Sequence, residues 1–253
     1  MFAKLGTKIA LQRAGLGNVK IPSFSNPESS SSSSKDPNAT GEGFTNPFAN
    51  VQWPPKAFSS WQAPPAPPTN VREPPQIGDR AQSNIKLKFP TIDARPCVVV
   101  FLRYCGCPFT EKLFLALRAM GNRNPSVRFI AVSHCTQAAT DDWVKKLGGA
   151  WNVDVIVDPN RELYALWGLG VSNWGHLLNP RNGYNQILLG KNQGVWGQQV
   201  GEGGSRWQTG GAFAIDERGI VKWGKPMASV DEDIRLDEAV RALGFGDTRT
   251  GVF

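Results

Sequence analysis

The chain has 253 residues and a net charge of +7, and 11 of its 19 prolines fall in the first 74 residues, which excludes a packed core there. The excess charge is spread thinly, +3 over residues 1–74 (seven basic, four acidic) and +4 over the rest, with no dense basic block, so nucleic acid is not an expected partner. No run approaches the ~18 apolar residues of a membrane helix, and the remainder of the chain suits one domain.

Lys4, Lys8, Arg13 and Lys20 precede the first acid, Glu28, and Phe2, Leu5, Ile9 and Leu16 share one face of a helical wheel. A basic, acid-free, amphipathic start is the pattern of a mitochondrial transit peptide; the alternative is an unstructured basic tail and a cytoplasmic protein. Ser29 to Ser34 is a serine homopolymer leading into Asn- and Pro-rich sequence that ends in Pro64-Pro65-Ala66-Pro67-Pro68. This is linker composition, interrupted by Phe48, Trp53, Phe58 and Trp61, and residues 1–73 are expected to be disordered.

A folded domain is expected over 74–247, with a loose tail at 248–253. Its first strand is predicted at Ile85-Lys86-Leu87-Lys88-Phe89, from the alternation alone. Cys97 to Leu102 is a continuous apolar, β-branched run, which reads as a strand buried on both faces, with Cys97 a small core residue. The turn Arg103-Tyr104-Cys105-Gly106-Cys107-Pro108 then feeds a helical run, Lys112 to Met120, ending at Gly121. Proline suits the first helical position, so Cys107 is the predicted N-cap, its sulfur near unpaired N–H groups and the positive end of the helix dipole. That position favours a thiolate, the nucleophilic form of cysteine.

Val127 to Ser133 is the next predicted strand, followed by His134, Cys135 and a helix capped by Thr136 and running to Leu147. Val153 to Val157 is a short strand, and Asp158 to Gly168 a capped helix. Gly170 to Gly211 reads as an irregular insertion rich in Gly, Trp and Asn, whose tryptophans either anchor the loop or wall a site mouth. Gly210 to Trp223 reads as strand, tight turn, strand. Asp231 is placed to cap a last helix reaching Leu243.

All four cysteines, 97, 105, 107 and 135, sit in one stretch of the domain, and such clustering points to redox or metal chemistry rather than a disulfide scaffold. A metal set of Cys105, Cys107, His134 and Cys135 is one alternative, although Cys-x-Cys and adjacent His-Cys are not the usual zinc spacing. No metal or other cofactor is expected.

Strand, Cys-Pro-Phe, helix resembles the thioredoxin-like fold, and in detail the peroxiredoxin-like (AhpC/TSA antioxidant) family. The family pattern Arg-x-x-Gly-Cys-Pro-Phe-Cys is matched by Arg103 to Phe109, with Thr110 in place of the second cysteine. Asp158-Pro159-Asn160-Arg161-Glu162-Leu163-Tyr164 and Gly211-Ala212-Phe213-Ala214-Ile215-Asp216 match two further family segments. The resemblance implies an α/β domain with a central mixed sheet flanked by helices. It implies a thiol-based redox protein, in which Cys107 attacks a peroxide or disulfide and Cys105 or Cys135 resolves the product. The electron donor would be an external thiol such as thioredoxin or glutathione. By the resemblance, His134 and Cys135 emerge beside Cys105 and Cys107, and a Cys107–Cys135 bridge is preferred to a Cys105–Cys107 one, which must close a very small ring. Two departures bear on activity. Tyr104 stands where peroxiredoxins carry Thr or Ser, and Gly210 where they carry an Arg; Arg103, Thr110 and Arg206 are the remaining candidates to bind substrate. An enzyme, a thiol peroxidase or thiol–disulfide oxidoreductase, and an inactive interaction protein on the same fold both stay open.

Overall fold

A computed structural model describes residues 64–172 and 180–245, with the main chain alone for 180–183. The expectations for the transit-like start, the serine run, Trp53, Trp61 and the final tail lie outside the described residues.

Five strands form one sheet: β1 Cys97–Phe101, β2 Arg128–Ser133, β3 Val153–Val157, β4 Gly211–Ile215 and β5 Val221–Pro226. Their order is β3-β2-β1-β4-β5. β1, β2 and β3 run parallel, β4 is antiparallel to β1, and β5 to β4. This is the mixed, thioredoxin-like arrangement. β1 is buried along its whole length because it is central and both sheet faces are covered. Its side chains alternate between two cores. Val98, Val100 and Leu102 join Phe114, Leu117, Phe129 and Val240 on one face. Cys97, Val99 and Phe101 join Tyr164, Trp167, Phe213 and Ile215 on the other.

The helices are α1 Pro108–Arg123, α2 Gln137–Lys146, α3 Glu162–Leu166, α4 Pro180–Gln193 and α5 Leu236–Ala242. Gly121 does not end α1; it is buried within it, where a Cβ would come to 3.2 Å from the Asn152 carbonyl oxygen, so the glycine marks a close approach to the loop before β3.

Three further expectations need correction. Residues 85–89 form no strand: Asn84 Oδ1 accepts the N–H groups of Lys86 and Leu87 at 2.8 and 3.0 Å, and Ser83 Oγ that of Phe89 at 2.9 Å, so local side chains take the donors a ladder would use. The insertion at 170–211 contains α4, and Gly190 within it is the seat for the Trp196 ring, 2.5 Å from where a Cβ would stand. Asp231 caps no helix; α5 starts later, with Arg235 as its N-cap, and the Asp231 carboxylate instead accepts from Asn185 Nδ2.

No helix among the described residues is long and apolar enough to cross a membrane. The segment before the domain lies along α3: the Arg72 N–H reaches the Ala165 carbonyl at 2.9 Å, and the Arg161 guanidinium donates to the Pro65 carbonyl.

Candidate active site

β1 and β2 end side by side, with Phe101 in register with Val132. The Tyr164 hydroxyl, carried by α3, lies 2.7 Å from the Leu102 carbonyl and 2.8 Å from that of Val132, and so ties the two strand ends together. The turns that follow carry all the candidate residues except Thr110 and Arg206.

After β1, Cys107 is the N-cap of α1, with Pro108 at the first helical position as expected. Its Sγ receives Arg103 Nη1 at 3.6 Å. The Tyr104 hydroxyl hydrogen-bonds to Cys107 as well, and Arg206 Nη1 donates to that hydroxyl at 3.1 Å. The two guanidinium carbons lie 5.4 and 5.5 Å from the Tyr104 ring centroid. Burial first, and then the Cys107 sulfur, push the Tyr104 phenol up to about 12, so it stays protonated and can donate. Arg103 Nη2 is anchored on the Arg206 carbonyl at 2.8 Å.

These contacts show what stands at the two positions where the sequence departs from the family pattern. A hydroxyl does face the sulfur from position 104, at the end of a longer side chain. A side chain at 210 has no room, since its Cβ would stand 2.7 Å from the Phe101 carbonyl oxygen and 3.2 Å from Arg103 Cγ. The stem of Arg103 passes Gly210, and its guanidinium is the one at the sulfur.

After β2, the N-cap of α2 is Thr136, whose hydroxyl accepts from the Ala139 N–H at 3.3 Å. Cys135 therefore sits one residue outside the helix and points into the interior, fully buried. It meets Cys105. The Cys105 N–H donates to Cys135 Sγ at 3.4 Å, and the two thiols hydrogen-bond to each other. Cys105 Sγ is 3.5 Å from Ser133 Oγ, which is 2.9 Å from Thr140 Oγ1. The hydrogen bond from Cys135, aided by Ser133 and Thr140 and opposed by burial, holds the Cys105 thiol below its usual value. The bond to Cys105, then burial, then the Cys105 charge push Cys135 up.

His134 is buried and neutral. Burial, then the charges of Arg161 and Arg103, hold its imidazole down to about 3. Its Nε2 accepts the Ser205 N–H at 3.0 Å, so the ring proton is on Nδ1. Among the described residues no group of three or more His, Cys, Asp or Glu is arranged to hold a metal ion. Thr110 is buried in the first turn of α1, on the face turned toward the sheet. Cys97 is remote, at the far end of β1, and burial pushes its thiol up to about 12.

A strap, residues 197–206, closes over both turns. Gln198 N–H donates to the Gly106 carbonyl at 2.9 Å, Gly201 N–H to that of Cys105 at 3.0 Å, and Thr136 N–H to that of Glu202 at 2.9 Å. Gly106 has φ +98°, and a Cβ there would lie 2.3 Å from the Gln199 carbonyl oxygen, so only glycine fits beneath the strap. A Cβ on Gly204 would stand 2.9 Å from Cys135 Sγ, and one on Gly201 3.4 Å from it. Under this cover Cys105 and Cys107 are each 1% exposed.

Sequence reasoning passed over the Tyr104 hydroxyl, Ser133, Ser205 and the strap. Two signals were there: a serine closing an otherwise apolar strand, and three glycines within Gly201–Gly204, which mark a close backbone approach.

Residues 116–229 match the family model described as AhpC/TSA antioxidant enzyme. The match opens inside α1, downstream of Cys107. No curated protein matches the chain by sequence. Among solved structures, a thiol peroxidase from Chromobacterium violaceum is similar at 12% identity and a TM-score of 0.48, covering 69% of this chain and 90% of that one. A peroxiredoxin-like protein from Aquifex aeolicus is similar at 17% identity and 0.49, covering 70% and 90%. Mycobacterium tuberculosis AhpC is similar at 15% and 0.40, covering 68% and 92%.

Proposed function

We propose that this chain, whose domain is thioredoxin-like and of AhpC/TSA type, is a thiol-based redox protein that reacts through Cys107. The observation that carries the reading is the set of donors around that one sulfur. Cys107 holds the N-cap position of α1 without a cap hydrogen bond from its sulfur, and that sulfur takes an N–H from Arg103 and a hydroxyl from Tyr104, backed by Arg206. Donors placed around a sulfur stabilise its anion, and afterwards the charge that develops on the leaving oxygen.

With a hydroperoxide, the Cys107 thiolate attacks the outer oxygen. The S–O bond forms, the O–O bond breaks, and the alkoxide takes a proton to leave as alcohol or water. Cys107 is left as the sulfenic acid, and an external thiol of the thioredoxin or glutathione type returns the two electrons. With a disulfide, the same thiolate displaces one sulfur through a mixed disulfide. Cys107 is almost wholly covered, so either substrate enters only when the strap at 197–206 lifts. The location that fits is cytoplasmic, or mitochondrial if the acid-free amphipathic start acts as a transit peptide; a reporter fused to residues 1–25 tests this, and a diffuse cytosolic signal would rule out the mitochondrial location.

The test is the rate of Cys107 oxidation by hydrogen peroxide, by a lipid hydroperoxide and by oxidised thioredoxin, followed by a sulfenic-acid tag and by mass. Cys107 is expected to take the tag, and Cys107→Ser to lose turnover. Unchanged turnover in Cys107→Ser would place the reaction elsewhere.

A further inference from the structure

The two turns hold the three central cysteines in unlike company. Cys107 faces Arg103 and Tyr104. Cys105 faces Cys135, Ser133 and, through it, Thr140. The Cys105–Cys135 contact is formed across adjacent parallel strand ends, about 4.8 Å apart as neighbouring strands are. The strap's Gly201 and Gly204 close over it, and Ser133 fills its floor. This is a built thiol pair, and the reaction at Cys107 by itself makes no use of it.

We propose that Cys105 and Cys135 form a dithiol/disulfide couple that receives the oxidising equivalent from Cys107, so that the protein's resting oxidised form is the Cys105–Cys135 disulfide. The proposal rests on the reading of Cys107 given above, with a hydroperoxide as oxidant. In the first transfer the Cys105 sulfur attacks the Cys107 sulfenic sulfur. A Cys105–Cys107 disulfide forms, the S–O bond breaks, and the hydroxide leaves as water with the proton that Cys105 gives up. In the second, Cys135 attacks Cys105. The Cys105–Cys135 bond forms, the Cys105–Cys107 bond breaks, and Cys107 leaves as thiolate while Cys135 gives up its proton. In sum one hydroperoxide and two thiols give one alcohol, one water and one disulfide, with Cys107 restored.

Three features set this direction. A bridge between cysteines two residues apart is strained and is therefore easily opened. The departing Cys107 sulfur is received by the Arg103 guanidinium, a cationic donor that Cys105 does not face. Cys105 is the thiol of its pair that ionises first, and it does so because Cys135 hydrogen-bonds to it. Once Cys105 is bonded to Cys107 it no longer carries a charge against Cys135, and two of the three influences that keep Cys135 protonated are gone.

The experiment maps disulfides in the full chain after full reduction, addition of one equivalent of hydrogen peroxide and an acid quench. Cys105 and Cys107 share one tryptic peptide, so the linked peptide is fragmented between them at Gly106. The expected product is a dominant Cys105–Cys135 link. In Cys135→Ser, a Cys105–Cys107 link is expected to accumulate instead. A dominant Cys107–Cys135 link overturns the couple, and so does Cys107 sulfinic acid with Cys105 and Cys135 both free; either result leaves Cys107 as the reacting residue. In Cys107→Ser the Cys105–Cys135 link is expected to form at least tenfold more slowly. If it forms at the wild-type rate, the relay fails together with the reading of Cys107.

Discussion

The turn after β1 and the turn after β2 stand in equivalent places. Each closes a parallel strand, each holds a buried cysteine, each precedes a helix, and the same strap covers both. They differ in which residue takes the N-cap. At α1 it is Cys107 itself, so the sulfur stands at the helix start beside two polar side chains. At α2 it is Thr136, which satisfies the first turn through its own hydroxyl and leaves Cys135 one position back, facing another thiol. One residue of offset thus separates a sulfur that faces a guanidinium from one that faces another cysteine. The topology supplies the location, and the capping residue decides the chemistry.

The comparison can be broken most severely by forcing the strap off both turns. Gly106→Val puts a branched side chain at φ +98° against the Gln199 carbonyl. A loss of about 3 kcal/mol in urea unfolding is expected, from strain and collision combined, with earlier proteolysis at 197–206. A variant as stable as the parent would mean that the strap does not hold this closed position.

A narrower test separates the turns electrostatically. Arg103→Met removes the charge-assisted bond to Cys107 and nothing from Cys135. A bond of that kind contributes about 1.5–3 kcal/mol, so Cys107 is expected to oxidise about 10- to 100-fold more slowly. Exchange of the Cys105–Cys135 pair with a small disulfide should change little. An equal fall at both turns would erase the distinction.

Acid provides the third test, through His134 between the turns. Its folded pKa of about 3 lies below the ordinary value of 6.5, so the unfolded chain binds the proton more readily. Stability contributed by the neutral ring is therefore complete above pH ~6.5 and falls as the pH drops toward 3, by up to about 1.4 kcal/mol per pH unit. Urea midpoints from pH 7 to 4.5 should show that slope, and His134→Gln should flatten it. A parental slope unchanged by the substitution would assign the acid sensitivity to other groups. The smallest effect belongs to the cap. Thr136→Ala should cost about 1 kcal/mol, read by thermal unfolding, and leave Cys107 reactivity intact.

Where a single physical signal dominated, the sequence was readable. Cys97–Phe101 could only be a doubly buried strand, and Cys107-Pro108 could only open a helix, since both follow from burial and from proline's missing donor. Lys86 and Lys88 alternate with apolar neighbours as a strand would, but Ser83 and Asn84 capture the backbone donors, a competition that periodicity does not register. Gly183 and Gly190 hid α4, one of them to seat Trp196. The cysteine cluster was visible in one dimension. Which sulfur faces which depends on Thr136 and Ser133 and on a strap about seventy positions further along the chain, and spacing holds no record of that.

The strap is also held in a particular way. Its ties to the turns at Gly106, Cys105 and Thr136 run from main chain to main chain, while the side chains of Gln198, Gln199 and Glu202 face outward. Substitution at those three positions leaves every tie in place. The rim above the cysteines can therefore drift in charge and size over evolutionary time without loosening the cover. What the rim presents to solvent and what lies beneath the cover can vary separately, and only the glycines of the strap and Gly106 are tied to both.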